Sequence, residues 1–338
     1  MFVVRQARPE DLEQVLAIAK HLDSYNLPFD KKAIVGILQA SDDAFAERVP
    51  AVERSYTFVA ENVETGNVVG TSMLYAQHGT HRSPHVYLDV LQDEHYSETL
   101  DKYMVHQALR IGYNYDGPTE IGGLILLPEY RGHKESLGKL LSFARFLYMA
   151  MHRSVFREEV IAELLPRLEE DGTSRLWKHF GKRFTDLTYR EADRISKDNK
   201  EFIKSLFPQG LVYTSLFPEA VRSEIGVVGP QTKGVETMLS KIGFRYAHQI
   251  DPFDGGPHFV AKTNEISLIA NARSHRIGSV ASDSPPKASR HLVAAAGDRG
   301  FRTTWCDLDR SGEDLSLSAA VAQVLELHAG DEIWAVAP

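Results

Sequence analysis

The stretch from Glu120 to Arg153 constrains this chain more than any other. Residues 120–127 form a β-rich run closed by Pro128, and Arg131-Gly132 makes a turn. Residues 136–153 then carry a helical period with Leu137, Leu140, Leu141, Ala144, Leu147 and Tyr148 on one face. A strand that passes through a glycine turn into an amphipathic helix needs a sheet for that helix to cover. The surrounding order agrees. Residues 2–5 read as a strand, and a helix opens at Pro9-Glu10-Asp11. Residues 31–38 read as a second helix. Residues 56–60 and 68–75 form a hairpin turned at Glu64-Thr65-Gly66-Asn67. Residues 86–91 and 160–164 supply further strands, and residues 174–180 a helix that closes at Gly181 as a C-cap. The expectation is one central sheet flanked by helices, of α/β or α+β class.

Hydrophobic residues make up 43% of the chain and charged residues 25%, which excludes disorder, collagen and coiled coil as overall descriptions. The single cysteine, Cys306, excludes a disulfide scaffold. Lys plus Arg is 38 against 46 for Asp plus Glu, a net charge of −8 that argues against bulk nucleic-acid binding. The N-terminus lacks a signal-peptide core, and Lys139 and Arg145 interrupt the longest apolar run. A soluble, cytoplasmic protein without a membrane or nucleic-acid partner is expected.

A length of 338 residues suits two domains, or one with an appendix. Residues 175–184 echo residues 236–245: each reads as an amphipathic helix ending in glycine before an aromatic strand. The main body, residues 1–269, is therefore divisible at 190/191, although two ordinary helix-to-strand exits give the same pattern. After Ile269 the composition shifts to Ser, Ala, Arg and Pro, with Pro285-Pro286 inside. Residues 270–338 are read as a linker over 271–290 and a small β appendix from His291, with Trp334 as packing.

Free N–H groups at the start of the helix after Arg131 suit a pyrophosphate. An ordinary turn with Arg131 at the surface has the same pattern. The segment resembles acyl-CoA N-acyltransferases of the GCN5-related kind. Their signature is Arg/Gln-x-x-Gly-x-Gly/Ala after a strand; here Gly132 and Gly138 follow Arg131 in a loop about two residues longer. The resemblance narrows further along. Gly181-Lys182-Arg183-Phe184, Gly229-Pro230-Gln231-Thr232, Lys241-Ile242-Gly243-Phe244-Arg245-Tyr246, Phe253-Asp254-Gly255-Gly256-Pro257 and Ala329-Gly330-Asp331 occur in this order. Together they resemble the arginine N-succinyltransferase family over essentially the whole chain.

That resemblance implies a central mixed sheet of the GCN5-related N-acyltransferase kind, single, tandem or extended, with a small C-terminal β subdomain. It implies succinyl transfer from succinyl-CoA to the α-amine of L-arginine or a related amine. Acyl-CoA is then a co-substrate rather than a permanent cofactor, and homo- or hetero-oligomers are expected. Leu124, Ile125, Leu126, Arg131, Gly132, Gly138 and Lys139 would hold CoA. Asp254, Gly229, Gln231 and Thr232 would line the acceptor site. The family's proposed proton donor is a histidine before Pro-Gln-Thr, and this chain has Gly229 there. The alternative is thus a catalytically impaired paralogue, a CoA-binding or regulatory subunit. Restoring a histidine at 229 is expected to raise turnover within the roughly 10²–10⁴-fold available to general acid–base catalysis.

His258, and less so His248, are candidates for a relocated acid; an ordinary core or surface histidine is the plain alternative. Glu163 could take the proton of the attacking amine, or be a solvated sheet-edge residue. Asp254 could pair with a guanidinium, or hold an Asx-turn. Lys182-Arg183 could bind an anion, or answer a helix dipole. His78, His81 and His85 share one loop with no acid or cysteine close in sequence, so no metal site is read there.

Overall fold

The computed structural model describes residues 1–21, 27–81, 83–281, 289–297, 300–308 and 315–338. The strands are β1 (Phe2–Gln6), β2 (Ser55–Asn62), β3 (Val68–Tyr75), β4 (His85–Ser97) and β5 (Lys102–Asn114). They continue as β6 (Thr119–Leu126), β7 (Glu159–Glu163), β8 (Val212–Tyr213), β9 (Arg245–Ile250) and β10 (Pro257–Lys262). The last five are β11 (Arg273–Ala281), β12 (Ser289–Gly297), β13 (Gly300–Leu308), β14 (Leu315–Ser318) and β15 (Glu332–Val336). The chain divides into two compact units. The first comprises Met1–Gln77, Thr119–Glu158 and Lys262–Pro338; the second comprises His78–Pro118 and Glu159–Ala261.

In the first unit the strand order is β14-β11-β15-β12-β13-β1-β2-β3-β6. Helices α1 (Leu12–Ala19) and α2 (Lys31–Phe45) place Val15, Ile18, Ile34 and Leu38 in one core with Val59, Val68, Met73 and Ile125. The helix expected at 31–38 runs on to Phe45 and is capped at its start, where Asp30 accepts from the Ala33 N–H at 2.7 Å. Helix α3 (Leu137–Met151) is buried along most of its length, Arg145 included. The register of β3 on β6 shifts between the pairs Thr71–Ile125 and Met73–Gly122, and Gly123 has φ +55°. This is a β-bulge, and Gly122-Gly123 is the sequence signal for it.

The expectation of a linker over 271–290 is corrected. Arg273–Ala281 is β11 and β12 begins at Ser289; Pro285-Pro286 lies outside the described residues. Ser274 and Arg276 are exposed while His275 and Ile277 between and after them are half-buried and buried, so a strand with few inward residues resembles a polar loop in composition. The appendix is not peripheral to the first unit's sheet, because β13 pairs antiparallel with β1 through Val4–Thr303 and Arg5–Arg302. Trp334 lies in β15, with its indole N–H on Glu332 at 3.2 Å.

In the second unit the order is β7-β10-β9-β4-β5-β8. Its core gathers Val86, Leu88, Leu109, Trp177, Phe180, Phe207, Ile250 and Phe253. Trp177 stacks on Phe253 with ring centroids 5.0 Å apart. The expected strand at 86–91 proves to be half of a long hairpin in which β4 and β5 pair without a break from His85–Asn114 to Ser97–Lys102. Gly181 is not a C-cap; it opens a second short helix, Gly181–Thr185. The echo between 175–184 and 236–245 fails for the same reason. Only the helix Lys233–Lys241 leads through a left-handed Gly243 into a strand, β9.

Candidate active site

β7 alternates little: Val160, Ile161 and Ala162 are buried, and the strand ends on Glu163. Three imidazoles meet that carboxylate. His85, the first residue of β4, brings Nε2 to 3.2 Å from Glu163 Oε1. His258 of β10 and His78, at the start of the second unit, bring Nε2 to 3.6 and 3.7 Å of the same oxygen. His258 has no exposed side-chain surface and His85 only 4%, whereas Glu163 keeps 31%. The expected pair Glu163 and His258 is therefore brought together. His248 is not part of the group; it lies exposed in β9 with φ +56°, its ring against Tyr246. His81 stacks instead on Tyr115. The acid that the loop of His78 and His85 lacks in sequence is Glu163, supplied by β7.

Burial pushes the His85 imidazole down to about 4, against the opposing pull of Glu163, so the ring is neutral at pH 7. Burial acts to raise Glu163, but His258, His85 and His78 more than offset it and hold the carboxyl well below its usual range. Two further acids answer to this charge. Burial, with Glu163 adding, pushes Asp251 up to about 7, and burial beside Asp251 holds Asp254 well above the ordinary range.

Asp254 does form the Asx-turn: its Oδ1 accepts from the Gly256 N–H at 2.7 Å. Asp251 Oδ1 accepts from the N–H groups of Phe253 at 2.7 Å and Asp254 at 3.0 Å. Nothing in the sequence reading pointed to Asp251, although a turn this rich in Asp and Gly could have.

Gly229, Gln231 and Thr232 are bonded to the chain that leaves Glu163. The Gly229 N–H donates to Leu165 O at 2.9 Å and the Thr232 hydroxyl to the same oxygen at 2.7 Å. The Gln231 amide donates to Pro166 O at 3.4 Å. A Cβ at Gly229 would overlap the Pro166 carbonyl, and one at Gly256 the Leu164 carbonyl. Two glycines thus let neighbouring backbone close on residues 164–166. A histidine at 229 meets a backbone obstacle: the Pro166 carbonyl occupies the space its Cβ needs.

In the first unit, Leu124, Ile125 and Leu126 lie in β6 beside the bulge. Arg131 is exposed, with Nε donating to Leu126 O at 3.2 Å. Gly132 has φ +73°, and Gly138 and Lys139 lie in the first turn of α3. The strand–turn–helix is therefore present. Sequence reasoning missed its support: buried Arg145 donates to Gly122 O at 3.2 Å and to Ser142 Oγ at 2.8 Å. Burial lowers that guanidinium to about 9. Among the described residues, no helix is long and apolar enough to cross a membrane.

Sheet, bulge and helix define an α+β protein of the GCN5-related N-acyltransferase type. The family model for the arginine N-succinyltransferase beta subunit matches residues 2–268, and that for its C-terminal domain matches residues 273–337. The chain belongs to the arginine N-succinyltransferase family. Arginine N-succinyltransferases of Shigella boydii serotype 4 and Citrobacter koseri are each 31% identical to it, over 98% of this chain and 96% of theirs. The solved structure of arginine/ornithine succinyltransferase subunit AI from Pseudomonas aeruginosa matches with a TM-score of 0.86. That match has 28% identity and covers 100% of this chain and 98% of the other.

Proposed function

We infer that this chain transfers succinyl from succinyl-CoA to the α-amine of L-arginine or a related amine. The observation that carries this reading is Glu163, a carboxylate kept ionised by converging imidazoles while 31% of its side chain stays open to solvent. Family membership supplies the reaction class. The amine gives a proton to Glu163, directly or through water, as its nitrogen attacks the thioester carbonyl. The C–N bond forms, the C–S bond breaks, and the thiolate of CoA leaves without needing a strong acid. His258, fully buried, acts as a positioning residue for the carboxylate. Within the first unit, Leu124, Ile125 and Leu126 offer backbone groups to the pantetheine, and the turn from Arg131 and Gly132 to Gly138 and Lys139 takes the pyrophosphate. The domain reading goes with this: residues 1–269 carry the chemistry, and residues 270–338 complete the scaffold.

One observation favours a second reading, a CoA-binding or regulatory subunit without turnover: Gly229 offers no proton, and Pro166 leaves no space for a side chain there. Thiol release from succinyl-CoA with arginine, ornithine and other amines decides. Release that falls with Glu163→Gln supports transfer. CoA binding with no release for any amine supports the second reading.

A further inference from the structure

We propose that His78, His85 and Glu163 form a binding site for a divalent transition-metal ion of the zinc class. One ligand atom from each of the three, an imidazole nitrogen of His78 and of His85 and a Glu163 carboxylate oxygen, lies within 4.8 Å of the other two. At two of the three imidazole nitrogens that meet Glu163 the spacing is wider than in a hydrogen-bonded cluster. An N–H···O hydrogen bond from a neutral imidazole spans about 2.7–3.2 Å, so only the His85 contact reaches its outer limit. Here the three imidazole nitrogens stand 3.2, 3.6 and 3.7 Å from one oxygen. Ligand atoms bound at about 2.0–2.1 Å around a tetrahedral ion are about 3.3–3.4 Å apart, which falls inside that range.

The residue types agree with the spacing. Imidazole nitrogen and one carboxylate oxygen are the donor set that borderline ions such as Zn²⁺ and Co²⁺ take, while Mg²⁺ and Ca²⁺ prefer oxygen alone. The His78 and His85 rings are 4.6 Å apart and inclined by 66°, so they do not stack face to face. Two histidines and a glutamate leave a fourth position, for which His258 Nε2 or water is at hand. The carboxylate comes from a distant strand, β7, which is why no local spacing completes the set. The open part of Glu163 and the 18% exposure of His78 give an ion a way in.

This site goes beyond the transfer reading and does not depend on it. An ion on Glu163 would occupy the oxygen that the amine's proton needs, so metal would act as an inhibitor of that chemistry rather than a requirement for it.

The test uses the full chain, stripped with a chelator and titrated with Zn²⁺ by calorimetry and with Co²⁺ by visible absorption. The expected result is one ion per chain with the strong ligand-field bands of low-coordinate Co²⁺. His78→Ala should weaken binding by about 100-fold or more, and Glu163→Gln should do the same at almost unchanged side-chain volume. His81→Ala should leave binding as it was. Circular dichroism checks that each variant is folded, and the partly exposed His78 guards against a core collapse that His85→Ala could cause. Absence of a bound ion overturns the proposal, as does binding that survives both His78→Ala and Glu163→Gln. Because the readout is the metal alone, a catalytically silent protein still answers the question. Metal binding that leaves thiol release untouched would instead count against Glu163 as the proton acceptor.

Discussion

A histidine at position 229 has nowhere to go. The Gly229 N–H and the Thr232 hydroxyl both grip Leu165 O, and the Pro166 carbonyl sits where a Cβ would be. Gly229→His is therefore expected to lower stability by about 2 kcal/mol or more through overpacking, with no gain in turnover. Denaturant unfolding and thiol release, measured on the same preparation, check both halves. Glu163→Gln keeps the shape and removes the base, and should reduce turnover by about 10²–10⁴-fold if transfer runs through that oxygen. Asp251 gives a prediction with a sign. Its pKa is about 7 in the fold against an ordinary value of 3.8, so its contribution favours the fold fully below about pH 4 and is lost as pH rises through 7. Asp251→Asn keeps an oxygen for the N–H groups of Phe253 and Asp254 and removes the charge. It should stabilise the protein by of order 1 kcal/mol at pH 8 and by nothing at pH 4. Equal effects at both pH values would refute the assignment. At this scale the sequence exposed Glu163 and His258 as candidates because their motifs are contiguous. It hid His78, His85 and Asp251 because their meaning depends on which strand ends lie side by side.

Elements with a strong period were legible, and elements defined by pairing were not. α3 declared itself through its leucines, and the hairpin β2–β3 through its turn and β-branched residues. β5 did not, because Lys102 to Gln107 is polar or exposed along its length and only Ala108, Leu109 and Ile111 reach a core. The outer half of β4–β5 keeps its register through backbone bonds without a buried face, and composition carries no trace of that. The bulge in β6 belongs to this scale too. Arg145 reaches from α3 to the Gly122 carbonyl, and its guanidinium donates to the Ser142, Met73 and Gly122 carbonyls and the Ser142 hydroxyl. Arg145→Ala should destabilise by about 3–5 kcal/mol, since it leaves a cavity and bare carbonyls together. Arg145→Lys should recover little, because an ammonium cannot span the Ser142 and Gly122 oxygens as a planar fork does. Unfolding curves for the pair separate lost volume from lost geometry.

For the molecule as a whole, the C-terminal strands are part of the first unit's sheet. Phe301 of β13 lies 5.5 Å from the Phe58 ring and 5.1 Å from the Tyr148 ring, in a fully buried cluster. Removing residues 271–338 would uncover these rings and bare one edge of β1. The truncated chain is expected to aggregate rather than stay folded, and Phe301→Ala alone should cost about 3–5 kcal/mol. Light scattering of the truncation and urea unfolding of the point variant test this. A monodisperse, folded truncation would show that β1 does not need its late partner.

That pairing also sets an order of events during synthesis. Everything in the second unit, His78–Pro118 and Glu159–Ala261, leaves the ribosome before β13 exists. β1 emerges before the rest of its sheet, yet the strand that covers its outer edge is made roughly 300 residues later, on the order of 15–60 s at ordinary elongation rates. For that interval β1 has β2 on one side and a bare edge on the other, and whatever shields Phe2, Val3 and Val4 in that time decides how much chain matures.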